Sequence, residues 1–229
     1  MNPLFFIPVI VIGVGVAFMI YMNKKHQSAK EEIDIDQERL KYERYKSELL
    51  EHDFSKIVRW LKGKPVDAFT SASVSQSTLD KVVNLIGDGF EDLALSAFKV
   101  KVTRVDADCF WVLSGTDLHF LSTDTDGKLE DHIIFDNFRL EEASLHYKGI
   151  LKEGLGAYSK QADKYLPKAH TIVFNINGNQ LPLEIHDRLK YIPSPTDLMD
   201  GNKSFFYKTK YQVVGERLIE ILKSKYSNL

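Results

Sequence analysis

From Pro3 to Met22 the chain runs for twenty residues without a charge, PLFFIPVIVIGVGVAFMIYM, before polar and apolar positions begin to alternate. At about 1.5 Å of rise per residue, a helix of this length spans about 30 Å, the thickness of a bilayer's hydrocarbon core. Twelve of the twenty are Leu, Ile, Val or Phe. At roughly −0.3 to −0.6 kcal/mol each, they favour insertion by roughly 4 to 7 kcal/mol, less a discount for Pro8, Gly13 and Gly15. A helix apolar on every face for this length is seldom the core helix of a water-soluble body. A cleaved export signal would begin with basic residues, and Met1-Asn2-Pro3 has none. The pattern predicts a short tail at 1–3 and a transmembrane helix at 4–22.

Beyond it, residues 28–62 predict a second helix. Its first half, AKEEIDIDQERLKYERYKSE, is densely charged, whereas Leu50, Phe54, Ile57 and Leu61 form one apolar stripe, and Gly63 and Pro65 stop the helix. Residues 23–65 therefore read as a helical stalk with a solvated first half. VDAFTSASVSQST (66–78) is small and polar and reads as a linker or exposed loop, followed by a helix at about 79–97, so that 66–97 form a linker and helix.

From residue 98 the apolar period changes from 3.6 to 2. A strand around Lys99–Arg104, then CFWVLS, LHFLS and LEDHIIF, are separated by Asp- and Gly-containing turns, as in an antiparallel meander. FRLEEASLHY (138–147) reads as a further strand, and 149–168 as either helix or long loop. TIVFNI and QLPLEI flank Asn177-Gly178, the pair favoured by a tight type I′ hairpin. Residues 187–211 read as mostly loop, and a closing helix is predicted at 212–226.

Two passages, FWVLSGTDLHFLSTDTDGKLEDHIIFDNFRLEEASL (110–145) and VVGERLIEILKSKY (213–226), resemble the pleckstrin-homology-like domain, including its bacterial versions. The resemblance covers roughly 98–226. It implies an α+β fold in which a PH-like β-barrel or sandwich at 98–229 is closed by a C-terminal helix, and it implies binding rather than catalysis.

Charge fixes the expected orientation. Lys24, Lys25 and Lys30, then Arg39, Lys41, Arg44 and Lys46, follow the apolar run, which favours a cytoplasmic C-terminal domain with the N-terminus outside, in a cell (inner) membrane. The single cysteine, Cys109, rules out an intrachain disulfide. The net charge of −2 gives no general attraction to nucleic acid, and basic residues do not cluster with aromatics in the manner of a nucleic-acid surface. The expected partners are the bilayer, through 4–22, and a protein partner or a second copy.

The candidate chemistry is sparse. Gly13 and Ala17 form a small-xxx-small pair through which two membrane helices could approach, although small residues are common in such helices for other reasons. Lys99, Lys101 and Arg104 faintly resemble the basic cluster with which some PH domains grip phosphoinositide head groups; an ordinary solvated strand face explains them equally. STDTDG (122–127) has calcium-loop spacing but places Ser122 and Ile133 where the first ligand and the bidentate acid belong, so an Asp-Gly turn accounts for it. His119 and His132 fall on strands that a hairpin would join. With Asp131 they are the first candidates for an enzymatic alternative, and a metal would need a further ligand. Cys109, beside Phe110-Trp111, reads as a buried inert thiol. No cofactor motif is present, and the expected role is a membrane-anchored, non-catalytic binding or scaffold protein.

Overall fold

The computed structural model describes residues 13–21, 24, 34–73, 108–150, 168–176, 178–190 and 201–229. Residues 13–21 form helix α1. Among the described residues no helix is long and apolar enough to cross a membrane, but most of the 4–22 run lies outside them. The described part of that run is helical, and Val14, Val16, Phe18, Met19, Ile20 and Tyr21 are all 51–71% exposed.

The predicted continuous stalk is instead three short helices: α2 (Ile35–Arg39), α3 (Tyr42–Glu51) and α4 (Ser55–Trp60). Asp34 caps α2, its side chain accepting from the Asp36 N–H at 3.0 Å. The charged stretch is not a solvated rod. It carries ion pairs, including Lys41–Glu38 at 2.6 Å and Lys46–Glu43 at 2.8 Å, while Tyr42, Tyr45 and Leu49 turn inward and are buried. Sparse apolar residues at 3 and 4 spacing suffice once a sheet lies beneath them.

That sheet has seven antiparallel strands: β1 (Ala68–Ser73), β2 (Cys109–Ser114), β3 (Asp117–Thr123), β4 (Leu129–Phe135), β5 (Ser144–Ile150), β6 (Lys168–Ile176) and β7 (Asn179–His186). Their order is β4-β3-β2-β1-β7-β6-β5. The fold class is α+β, with helices packed on a single antiparallel sheet. β1 is the central strand, although AFTSAS lies in the segment predicted as linker. It carries no alternation of large residues because both its faces are covered and only Phe69 is bulky. Its buried hydroxyls are satisfied locally: Thr70 Oγ1 donates to the His186 carbonyl at 2.9 Å, and Ser71 Oγ accepts from the Lys190 N–H at 2.8 Å.

The sheet curls around an inner core of Trp111, Leu118, Phe120, Phe135, Phe174, Leu183 and Ile185. Phe135 of β4 stacks on Phe174 of β6 at 3.8 Å, which brings together strands far apart in the sheet order. Among the described strands β4 and β5 do not pair, and the sheet they form is strongly curled. The chain crosses the gap through helix α5 (Asn137–Glu142), where a strand was predicted. Asp136 caps it, accepting from the Arg139 N–H at 3.0 Å, and Leu140 plugs the core.

On the outer face α3 and α4 cover β1, β2 and β3, forming a second cluster with Phe54, Ile57, Phe69, Phe110, Val112 and Leu121. Helix α6 (Gly201–Lys225) starts eleven residues earlier than predicted and serves both cores. Tyr211, Val213 and Val214 join the outer cluster, whereas Leu218, Ile219 and Leu222 join the inner one. It crosses where β1 and β7 part, since those strands pair only at Ala72–Ile185 and Ser73–Glu184. Gly215 permits the crossing, because a Cβ there would lie 2.3 Å from the Arg188 Cα.

Candidate functional site

The residues singled out in the sequence do not converge. Lys99, Lys101 and Arg104 lie outside the described residues, as does the predicted 79–97 helix. Gly13 and Ala17 lie on the exposed helix α1, with nothing within 4 Å of a Cβ built at Gly13. His119 and His132 are neighbours: His119 Nδ1 and His132 Nε2 are 2.7 Å apart across β3 and β4. Asp131, adjacent to His132, must point to the opposite face of the strand. There its Oδ2 accepts from Ser122 Oγ at 2.7 Å, and the sheet separates it from the histidine pair. The three groups therefore form no common site.

The histidine pair is built for the interior. His119 is fully buried and its Nε2 has no hydrogen-bond partner. The less costly tautomer has His119 Nδ1–H donating to His132, because an unmet lone pair at Nε2 costs less than an unmet N–H. Burial, then His132, then Lys64 press the His119 pKa down to about 4, and burial with Lys64 and Lys62 lowers that of His132. Cys109 is buried, and burial pushes its thiol up to about 12, as expected of an inert cysteine. Among the described residues no group of three or more His, Cys, Asp and Glu side chains is placed to hold a metal.

The polar constellation that the fold assembles lies elsewhere. On β7, Leu181, Leu183 and Ile185 point into the inner core, so Glu184 and His186 point out. Ser73 pairs directly with Glu184 across β1 and β7. Ser73 Oγ donates to Glu184 Oε1 at 2.7 Å, His186 Nε2 lies 3.1 Å from the same oxygen and 3.2 Å from Ser73 Oγ, and Lys148 Nζ reaches from β5 to Glu184 Oε2. Hydrogen bonding from His186 leads the contributions that hold the Glu184 carboxyl down to about 2, those from Lys148 and Ser73 adding to it against the effect of burial. His146 and Thr171 continue the same row across β5 and β6.

The arrangement does not form a nucleophilic relay. A relay needs the imidazole to bridge hydroxyl and carboxylate through its two opposite nitrogens. Here Nε2 faces both, and the serine proton is directed at the carboxylate. What remains is a pre-ordered, half-buried polar network across β5, β6, β7 and β1, with Glu184 and His186 at 15% and 14% side-chain exposure and Lys148 at 58%. The sequence concealed it because Ser73 and Glu184 meet only once 68–73 becomes a strand.

No protein-family model, no curated protein and no solved structure matches the chain.

Proposed function

We propose that this chain is a membrane-tethered binding protein whose PH-like body presents the polar face over β5, β6 and β7 to a protein partner on the cytoplasmic side. The observation that carries the reading is helix α1. Its large apolar side chains are exposed on every side, between 51 and 71%, in a run continuous with twelve further residues of which only Asn2 is strongly polar. Water is a poor solvent for such a surface and hydrocarbon a good one.

The strand order and a terminal helix that joins the inner core support the PH-like reading of the body. The polar face supports binding: its side chains are held by one another before any partner arrives, which reduces the ordering cost of association. The tether is short. Because α2 and α3 belong to the body, only residues 22–33 separate it from α1. Twelve residues reach at most about 40 Å when fully extended, so the partner lies at or near the same membrane.

The test is alkaline-carbonate extraction of membranes from cells making the full-length chain or a chain lacking residues 1–22. The reading expects the full-length protein to stay with the membrane and the shortened one to be released. Full-length protein in the soluble fraction would refute it. Lys148→Glu, which turns an attraction for Glu184 into a repulsion, is expected to abolish co-purification of the partner from detergent extract. A second copy as the partner would be seen instead as mass-doubled particles of the purified chain.

A further inference from the structure

Residues 55–65, SKIVRWLKGKP, run along α4 and into the loop before β1, and they carry four cations and no acid in a chain whose net charge is −2. Lys56 is matched by Asp108 at 3.1 Å. Arg59, Lys62 and Lys64 are exposed, and their side chains enter no ion pair or hydrogen bond among the described residues. Ile57 and Leu61 bury one face of α4, so Val58, 40% exposed, shares the outward face with Arg59 and Lys62. Two acids lie near the loop: Asp67, whose Oδ2 accepts from the Gly115 N–H at 2.6 Å, and Asp117, which acts on buried His119. They do not cancel the cations. After burial and its histidine partner, Lys64 acts on His119 more strongly than Asp117 does, and after burial only Lys64 and Lys62 act on His132.

Helix α3 fixes where this patch lies relative to the anchor. Tyr42, which opens α3, donates its hydroxyl to the Asp67 carbonyl at 2.6 Å, and Lys46 Nζ reaches the same oxygen at 3.3 Å. Asp67 follows Lys64 by three residues. The α2–α3 junction, where the tether joins the body, therefore sits at the end that carries the basic loop. Lys41, Lys46 and Arg217 at this end are matched by Glu38, Glu43 and Glu220. Leu40, inside the junction, is 81% exposed although large and apolar.

We propose that Arg59, Lys62 and Lys64 dock the body on the anionic head groups of the membrane that holds its own anchor. The inference rests on the tethering reading and goes beyond it, since a tether alone leaves the body free to stand off the bilayer. A lysine or arginine at an anionic leaflet strengthens attachment about fivefold, so three of them do so about a hundredfold. That is too little to gather a freely diffusing domain, but it suffices for one already held beside the surface at high effective concentration. Leu40 and Val58 add apolar contact at the head-group boundary.

The experiment reconstitutes the full-length protein in phosphatidylcholine vesicles with or without about 30% phosphatidylglycerol, each carrying a head-group spin label that quenches tryptophan on contact. Trp60, beside Arg59, is partly exposed, whereas Trp111 is fully buried, so the quenching reports on Trp60. Quenching is expected in the anionic vesicles and not in the neutral ones, and it is expected to disappear at about 0.5 M salt. The variant Arg59→Gln/Lys62→Gln/Lys64→Gln changes only exposed side chains and is expected to lower the ratio of docked to undocked protein about a hundredfold. Flotation of the neutral vesicles in alkaline carbonate scores the anchor separately. Protein that floats but is unquenched in anionic vesicles, quenching equal in both vesicles, or quenching that survives the triple variant would overturn the docking and leave the tether standing. Protein that does not float would overturn both.

Discussion

Acidification is expected to weaken this fold at the His119–His132 pair, well before most carboxylates titrate. In the unfolded chain a histidine takes up its proton near 6.5, whereas in the fold burial lowers the His119 pKa to about 4. Between those values the unfolded state binds a proton that the folded state refuses, so stability is complete above 6.5 and is lost as the pH falls. The linkage integral gives a loss of about 2 kcal/mol at about pH 5 and about 3 kcal/mol at about pH 4 from His119 alone. No discount for solvent screening applies, since His119 is fully buried. Urea unfolding of the full-length chain in detergent, followed by the fluorescence of buried Trp111, measures the slope from about pH 7 to about pH 4. The double variant His119→Leu/His132→Leu removes the titrating pair from a face it shares with Val112, Leu121 and Ile134, and it is expected to flatten the slope by about that amount. Equal slopes in wild type and variant, or a His119 resonance titrating near 6.5, would refute the reasoning.

Three further outcomes follow from particular contacts. Glu184→Gln removes a carboxylate held at about 2 by His186, Lys148 and Ser73; it is expected to cost about 1–2 kcal/mol at neutral pH. The same variant loses the step in which the wild-type protein is destabilised below the ordinary carboxylate range, because a depressed pKa gives stability present above that range and lost as the pH falls toward the folded value. Gly215→Ala raises helix propensity by about 1 kcal/mol but drives a Cβ to 2.3 Å from the Arg188 Cα. Sterics win, with a net loss of about 1–3 kcal/mol read as a lower Tm. Trp111→Ala empties the centre of the inner core, where the ring meets Phe120, Phe135 and Phe174 and its Nε1 donates to the Glu184 carbonyl at 3.0 Å. It is expected to cost about 3–5 kcal/mol in urea unfolding.

The sequence alone determined what local patterning can encode. Strands β2, β3, β4, β6 and β7 stand where period-2 runs and turn residues place them, and Gly178, at φ +79°, sits in the predicted tight turn between β6 and β7. The pairing of His119 with His132 followed from one hairpin. What the sequence could not carry was anything whose apolar partners come from far along the chain. AFTSAS has no amphipathic signature because a strand covered on both faces and crossed closely by a helix needs small residues rather than alternating large ones. The charged 34–51 stretch looks solvated until a sheet is placed beneath Tyr42, Tyr45 and Leu49. The strand predicted around 138–142 becomes a helix because the chain must there cross from one end of a curled sheet to the other. Only tertiary structure brought Ser73, Lys148, Glu184 and His186 together, and only it set Arg59, Lys62 and Lys64 at the end of the body where the tether joins, through Tyr42 and Asp67. Local patterning selects an element's type, but which polar groups meet, and which are left unmet, depends on strand order and helix crossing, and these are fixed by contacts between residues a hundred or more positions apart.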